Sequence, residues 1–246
     1  MRLTAEVHVI GSGRLGLGIT HDLDCHVYLI DGGGEAALID AGVGLSGQLI
    51  VDEIIRSGVD PSRVRTLLLT HAHPDHAGGT ADLVRRLGVR VFASPATAAA
   101  VRAADRAATG LEVGVRAGLY PADFGLEECL VGEVHHGDRL AVGSVVIEVV
   151  ATPGHSAGHL SFMLHRPGGS DLFSGDAMLF GGQIILQPTD DCEWYAQLDT
   201  LHRLAELTHE GLFPGHLGVA VRGGDRHARA AVERIAATGT PPLFAP

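Results

Sequence analysis

Lysine is absent from this 246-residue chain, and all 18 of its basic residues are arginine. Chemistry that needs a lysine amine, such as a Schiff base with a carbonyl substrate, is therefore excluded. The 29 acidic residues outnumber the basic ones and give a formal net charge of -11. This balance argues against general electrostatic binding to nucleic acid or to an anionic membrane.

Cysteine is scarce, and its three copies, Cys25, Cys129 and Cys192, are widely spaced. An odd and scattered set is not a disulfide framework and is typical of a reducing compartment. No apolar run approaches the roughly 20 residues of a membrane span. The first residues also lack the apolar core of a secretion signal, so we expect a cytoplasmic protein with no membrane partner.

Hydrophobic residues make up 46% of the chain, which is enough for a substantial core. Short apolar runs between glycine-rich turns predict strands, and longer periodic stretches predict helices. The predicted helices span 46–59, 76–88, 94–108, 191–207 and 223–238. Each half of the chain begins with strands and ends with helices, which indicates two sheets packed face to face with helices outside. We predict a single domain over 1–246, with the irregular segment 109–129 as either a mobile lid or a surface connection.

Metal-ligand side chains follow four of the predicted strands. They are His71, His73, Asp75 and His76 in "LLLTHAHPDHAGG", His155 in "VVATPGHSAGH", Asp176 in "DLFSGDAM" and His216 in "GLFPGH". Sheets of α/β proteins place their sites beyond the strand ends, so we expect these loops to meet at one edge. Imidazole and carboxylate ligands without cysteine suit a catalytic zinc or a related metal. Seven groups are too many for one three-ligand site, but they suffice for two sites that share a carboxylate.

The four motifs "THAHPDHAGG", "TPGHSAGH", "SGDAM" and "PGH" resemble, in this order, those of the metallo-β-lactamase superfamily of metal-dependent hydrolases. The resemblance implies an α/β fold, a four-layer αββα sandwich of two mixed β-sheets flanked by helices. It also implies two divalent metal ions, most often zinc, with iron or manganese as alternatives. The implied first site is His71, His73 and His155, and the implied second site is Asp75, His76 and His216.

The same resemblance makes Asp176 the bridging carboxylate and a metal-bridging hydroxide the nucleophile. Asp75 is implied as the catalytic residue, because its carboxylate can orient the hydroxide and then carry the proton. Several reactions share this fold, so departures from the subfamily patterns carry weight. Asp176 occupies the position where β-lactamases of this fold have Cys or Ser, and His73 stands where flavodiiron proteins have Glu. Neither of these activities is therefore expected.

"TPGHSAGHLSFML" and "FSGDAMLFGG" are most similar to glyoxalase II-like thioesterases. They also resemble acyl-homoserine lactonases, whose alkoxide leaving group needs a proton, often from a tyrosine; Tyr28, Tyr120 and Tyr195 are the candidates. Persulfide dioxygenases keep much the same motif with a single iron. We predict hydrolysis of a small thioester, with the lactonase and the iron dioxygenase as alternatives. The expected partners are a small-molecule substrate and a second copy in a homodimer, without nucleic acid.

Overall fold

The structure, a computed structural model, describes residues 1–244 of the chain. The chain forms two compact units, which are Met1–Val134 with Val142–Ser144 and His135–Ala141 with Val145–Pro246. We call them the first and the second unit. The single domain expected over 1–246 stays a prediction. Among the described residues, no helix is both long enough and apolar enough to cross a membrane.

The first unit is built on a mixed six-stranded sheet. Its strands are β1 (Val7–Gly11), β2 (Val27–Asp31), β3 (Ala36–Ile39), β4 (Val64–Leu68), β5 (Arg90–Ala93) and β6 (Val131–Glu133). They lie side by side in chain order. The pairs among β1, β2 and β3 are antiparallel, whereas those from β3 to β6 are parallel. Because β3 and β4 are parallel neighbours, the residues that follow them emerge at the same edge of the sheet.

Five α-helices belong to the first unit. They are α1 (Gly47–Arg56), α2 (Pro74–Ala77), α3 (Thr80–Leu87), α4 (Pro95–Arg102) and α5 (Leu111–Arg116). Ser94 caps α4 by accepting a hydrogen bond from the Thr97 N–H at 3.2 Å, with Pro95 in the first helical position. The apolar faces of α1 and α3 place Ile54 and Leu83 in the core with Leu67 of the sheet. Each such side chain contributes about 1.5–3 kcal/mol by leaving water.

In the first unit, one predicted helix is divided, one is shorter than expected, and one helix was not predicted. The predicted helix 76–88 is divided into α2 and α3 at two glycines that lie against another backbone segment, where a Cβ on Gly79 would be 2.1 Å from the carbonyl oxygen of Ala41. The predicted helix 94–108 ends at Arg102, because Ala104 has a φ of 46°. Asp105 then accepts from the two backbone N–H groups of Ala107 and Ala108 and starts a turn. The irregular segment 109–129 contains α5, which was not predicted.

The second unit is built on a mixed five-stranded sheet. Its strands are β7 (Arg139–Val142), β8 (Val145–Ala151), β9 (Leu160–Arg166), β10 (Gly169–Gly175) and β11 (Gly211–Pro214). Their order across the sheet is β11-β10-β9-β8-β7. Strand β9 is antiparallel to both of its neighbours, so β8 and β10 run in the same direction, and β11 is parallel to β10. The ends of β8, β10 and β11 therefore lie at one edge.

Two helices complete the second unit, α6 (Trp194–Glu206) and α7 (Asp225–Thr238). Both were predicted, and each begins two or three residues later than expected. Leu172 of β10, Leu201 of α6, Leu212 of β11 and Ala228 of α7 belong to one fully buried apolar cluster. This cluster fixes the helices on the sheet that carries the ligand-bearing loops.

His209, between α6 and β11, gives the second unit a pH-dependent stability. It is only 3% exposed. Burial lowers the pKa of its imidazole below the ordinary 6.5, and the charge of Asp225 opposes this shift. The unfolded chain therefore takes up a proton near pH 6.5 that the folded chain does not, and folding weakens as the pH falls below that value. We expect His209→Leu to lose less unfolding free energy than the wild type between about pH 7 and about pH 5.

Urea denaturation of both chains at several pH values measures this difference. Parallel curves of unfolding free energy against pH would show that His209 does not contribute.

Candidate functional site

His71, His73, Asp75 and His76 lie together in the first unit, in the loop after β4 and in α2. The rings of His71 and His73 meet edge to face, with Nε2 of His71 2.9 Å from Nδ1 of His73. Nε2 of His76 lies 3.6 Å from Oδ2 of Asp75. The three imidazoles are at most 4% exposed, whereas the Asp75 side chain is 21% exposed. Asp75 is thus the member of this group that solvent or a substrate can reach.

Asp40, just after β3, fixes the ring of His76 through its Nδ1 atom. Its Oδ2 lies 2.8 Å from Nδ1 of His76, and its Oδ1 accepts from the Thr70 backbone N–H at 2.8 Å. The Thr70 hydroxyl also bonds to Asp40 and lies 3.0 Å from Nδ1 of His71. A carboxylate on Nδ1 fixes the tautomer, so the lone pair of His76 Nε2 points towards Asp75, ready for a cation.

Cys25 lies beside this network but is not poised to react. Cys25, Asp40 and His76 offer ligand atoms within 4.8 Å of one another. Burial raises the pKa of the Cys25 thiol to about 12, although the neighbouring His76 acts in the opposite direction. Since the thiolate is the nucleophilic form, Cys25 is a packing residue in this arrangement.

Tyr120 is the tyrosine that contacts the first-unit group, which consists of His71, His73, Asp75 and His76. It lies after α5 in segment 109–129, and its hydroxyl donates to Oδ1 of Asp75 at 3.4 Å. Burial, followed by the charge of Asp75, raises the pKa of Tyr120 well above its ordinary value. Tyr28 is instead fully buried, with its ring 5.8 Å from that of His26, and Tyr195 is 74% exposed.

His155, Asp176 and His216 lie together in the second unit, each just beyond a strand end. Oδ2 of Asp176 is 3.7 Å from Nε2 of His155 and 3.5 Å from Nε2 of His216. The carboxylate therefore lies between the two imidazoles. All three side chains are at most 7% exposed.

The loop before His155 needs a glycine. Gly154 has a φ of 136°, and a Cβ there would lie 2.4 Å from the Cα of Gln197 on α6. This tight approach places His155 with its Nδ1 3.1 Å from the carbonyl oxygen of Ile185. Nδ1 therefore donates, and Nε2 is left on the side of Asp176 as a ligand atom.

His159 supports Asp176 through the backbone. Its Nε2 accepts from the Asp176 N–H at 3.1 Å, and its Nδ1 lies 2.8 Å from the Thr152 hydroxyl. The Thr152 hydroxyl in turn lies 2.9 Å from that of Ser161. This buried chain of hydrogen bonds fixes the backbone from which the Asp176 carboxylate projects.

The seven predicted ligands thus form two groups, four in the first unit and three in the second. Within each group, neighbouring ligand atoms are 2.9 to 3.7 Å apart. Bonds of about 2.0–2.2 Å around a tetrahedral ion place ligand atoms about 3.4 Å apart, so the spacing suits a metal. The assignment of each residue to a metal stays a prediction.

Three supporting residues were not identified from the sequence as part of the site. Asp40 and Thr70 hold His76 and His71, and Thr152 holds His159. A signal for Asp40 was present, because "ALIDAG" repeats the pattern of an apolar strand followed by a carboxylate and a glycine. No comparable sequence signal marks the two threonines.

The family model described as the metallo-beta-lactamase superfamily matches residues 22–216. A hydroxyacylglutathione hydrolase of Fuscovulum blasticum is 30% identical over 59% of this chain and 46% of its own length. The lactamase-like protein adaB of Aspergillus niger is 27% identical over 78% of this chain and 49% of its own. The chain thus spans about half the length of the curated relatives that it matches.

Solved structures share the fold at lower identity. A metallo-beta-lactamase of Cronobacter sakazakii is 20% identical and has a TM-score of 0.69 over 97% of this chain and 86% of its own. BJP-1, a subclass B3 metallo-beta-lactamase of Bradyrhizobium japonicum, is 22% identical and has a TM-score of 0.68 over 88% of this chain and 76% of its own. These similarities confirm the expected α/β class with two mixed, helix-flanked sheets. The family match, which covers most of the chain, shows that this protein belongs to the metallo-beta-lactamase superfamily.

Proposed function

We propose that this protein is a dinuclear metal hydrolase that cleaves a small thioester. The observation that carries the proposal is the position of Asp176, whose single oxygen Oδ2 lies within 3.7 Å of imidazole nitrogens from two different loops. A ligand shared by two cations must lie beside ligands of both, and the position of Asp176 between two imidazoles meets this requirement. The proposed mechanism requires no serine or cysteine nucleophile. Burial keeps the Cys25 thiol, which lies beside His76, in its protonated form.

The donor set fits divalent ions. It consists of five buried imidazoles, the buried carboxylate of Asp176 and the partly exposed carboxylate of Asp75. Supporting hydrogen bonds direct the Nε2 atoms of His76 and His155 to their acidic neighbours. We propose His71, His73 and His155 for one ion, and Asp75, His76 and His216 for the other, with Asp176 shared. Zinc suits this mixture of nitrogen and oxygen ligands best, and iron or manganese would also fit.

In the proposed reaction, ions held by these seven residues would supply an activated water at neutral pH and would polarise the substrate carbonyl. The protein directs the proton. Asp75 is the only one of the seven side chains that is more than 7% exposed, so its carboxylate can both orient a water and meet the substrate. We assign Asp75 as the residue that accepts the proton of the attacking water and passes it on.

A thioester is the proposed substrate class. Two curated relatives, 30% and 28% identical, are named hydroxyacylglutathione hydrolase. A thiolate is a good leaving group that departs without a proton donor, so the carboxylate of Asp75 and the metals suffice. A lactone is retained as the alternative substrate, and persulfide oxidation by a single iron as the alternative reaction.

We further propose that the protein acts in the cytoplasm on a small molecule, as a homodimer and without a nucleic-acid or membrane partner. Support comes from the net charge of -11 and from the three cysteines, all of which are free. Free thiols are typical of a reducing compartment.

Metal content and a substrate panel test the proposal together. We expect about two zinc ions per chain by plasma mass spectrometry of protein purified without added metal. We also expect faster hydrolysis of S-lactoylglutathione than of an N-acyl-homoserine lactone or a cephalosporin. Preference for the lactone would replace the thioester in the proposal. About one iron per chain, with oxygen uptake on a glutathione persulfide, would replace hydrolysis itself.

A further inference from the structure

Segment 109–129 brings a side chain to the first-unit group from outside the ligand motifs. After α5 the chain turns, and the Tyr120 hydroxyl approaches Oδ1 of Asp75 at 3.4 Å. The other oxygen of the same carboxylate, Oδ2, lies 3.6 Å from Nε2 of His76. The two oxygens of Asp75 thus face two different partners, one a phenol and the other an imidazole.

The ring of Tyr120 is held in place by its own segment. It stacks on Phe124, with ring centroids 5.3 Å apart and planes at 21°. Gly114 of α5 lies directly beneath it, where a Cβ would be 2.6 Å from the ring. Arg106 donates to the carbonyl oxygen of Phe124 at 2.7 Å and fixes the turn. These contacts define where the hydroxyl points before any substrate binds.

An ion pair also fastens the segment to the body of the first unit. Arg85 on α3 pairs with Glu127 and also lies 3.5 Å from Asp82. Exposed pairs of this kind contribute little energy by themselves. They nevertheless add a second attachment, so the segment meets the first unit both at Asp75 and at α3.

We infer that Tyr120 is a positioning residue, which donates a hydrogen bond to Oδ1 of Asp75 and so orients Oδ2 towards His76. The inference rests on the proposed function, in which Asp75 handles the proton. A phenol carries a proton at neutral pH and is a donor to a carboxylate. A hydrogen bond to a charged acceptor is stronger than a neutral one, and apo enzymes often show such bonds at long distances that shorten on substrate binding.

Tyr120→Phe removes only the hydroxyl, because a phenylalanine ring can keep the stacking on Phe124 and the contact with Gly114. Tyr195→Phe is the matched control, since the same atom is removed from a side chain that is 74% exposed. We expect the kcat of Tyr120→Phe on S-lactoylglutathione to fall about tenfold, with KM changed less than about twofold. The control is expected to match the wild type in both constants.

Hydrogen–deuterium exchange of the purified full chain gives a readout that does not depend on turnover. Loss of the contact should speed amide exchange over residues 119–125 by about threefold or more in Tyr120→Phe, but not in Tyr195→Phe. In an Asp75→Ala background, Tyr120→Phe should change this exchange no further, because the partner of the hydroxyl is already gone.

The combined outcomes distinguish a positioning role of Tyr120 in catalysis from a purely structural contact with Asp75. Faster exchange with an unchanged kcat would make Tyr120 a purely structural contact and overturn the positioning role. Unchanged exchange and unchanged kcat would overturn the inference altogether. If the wild type hydrolyses no thioester or lactone, the proposed function fails, while the exchange data still decide whether Tyr120 holds Asp75.

Discussion

Asp176→Ala is expected to remove bound metal and hydrolysis together. In the wild type, Oδ2 of Asp176 lies between the Nε2 atoms of His155 and His216. If this oxygen is the shared ligand, its loss lowers the affinity of the protein for both proposed ions at once. Changing residues that only support a ligand costs about 10–100-fold in metal affinity or activity. Removing the shared ligand should therefore lower kcat/KM by more than about a hundredfold, and bring the metal content well below two ions per chain.

Plasma mass spectrometry measures the metal content, and thioester kinetics on the same preparation measure kcat/KM. Asp199→Ala is the matched control, because Asp199 is an exposed carboxylate on α6 of the same unit. Asp176→Asn keeps the shape of the side chain while removing its charge, and it should fall between alanine and wild type. Two metals per chain and full turnover in Asp176→Ala would show that Asp176 is not the bridging ligand.

The ligand-bearing loops were predictable because each follows a local rule. An apolar run predicts a buried strand, a glycine or proline ends it, and the next polar residue emerges at the sheet edge. Asp176 after β10 and His216 after β11 both obey this rule, and the structure places each beyond its strand. His71 follows β4 directly through Leu69 and Thr70, without a glycine or proline. Parallel pairing then brings such residues together within a unit, as it does for Asp176 and His216.

The supporting contacts were not predictable, because they join residues far apart in the chain. The Asp40 carboxylate meets Thr70 and His76, which lie 30 and 36 residues away. In sequence, an aspartate before "AG" has the composition of an ordinary turn. Tyr120 was only one of three candidate tyrosines, because segment 109–129 lacks the periodicity that would have placed it. Its distance to Asp75 depends on the fold of that segment, including the unpredicted helix α5.

Asp40 carries the second large expected effect, because three polar groups depend on its carboxylate. Oδ2 faces Nδ1 of His76, and Oδ1 accepts from the backbone N–H of Thr70. The Thr70 hydroxyl lies 2.8 Å from Oδ2 and 3.1 Å from Oδ1. Asp40 itself has a φ of 62°, a left-handed conformation that asparagine and aspartate adopt more readily than most other residues. Asp40→Asn therefore keeps the backbone and one acceptor oxygen, but it replaces the second oxygen with an amide donor.

We expect Asp40→Asn to weaken metal binding about 10–100-fold, because an amide nitrogen cannot accept the proton on Nδ1 of His76. If Oδ1 keeps its bond to the Thr70 backbone N–H, the new amide faces His76 Nδ1 and favours the other tautomer. That tautomer puts a proton on Nε2, the atom assigned to the metal. A competition titration with a chromophoric zinc chelator measures the affinity. Thermal unfolding of the same variant reports the stability, which should fall by about 1–3 kcal/mol for the lost buried bonds. Asp52→Asn is the control that should leave the zinc affinity unchanged, because Asp52 is partly exposed on α1 and accepts from Gln48. Unchanged zinc affinity in Asp40→Asn would show that the orientation of His76 does not depend on Asp40.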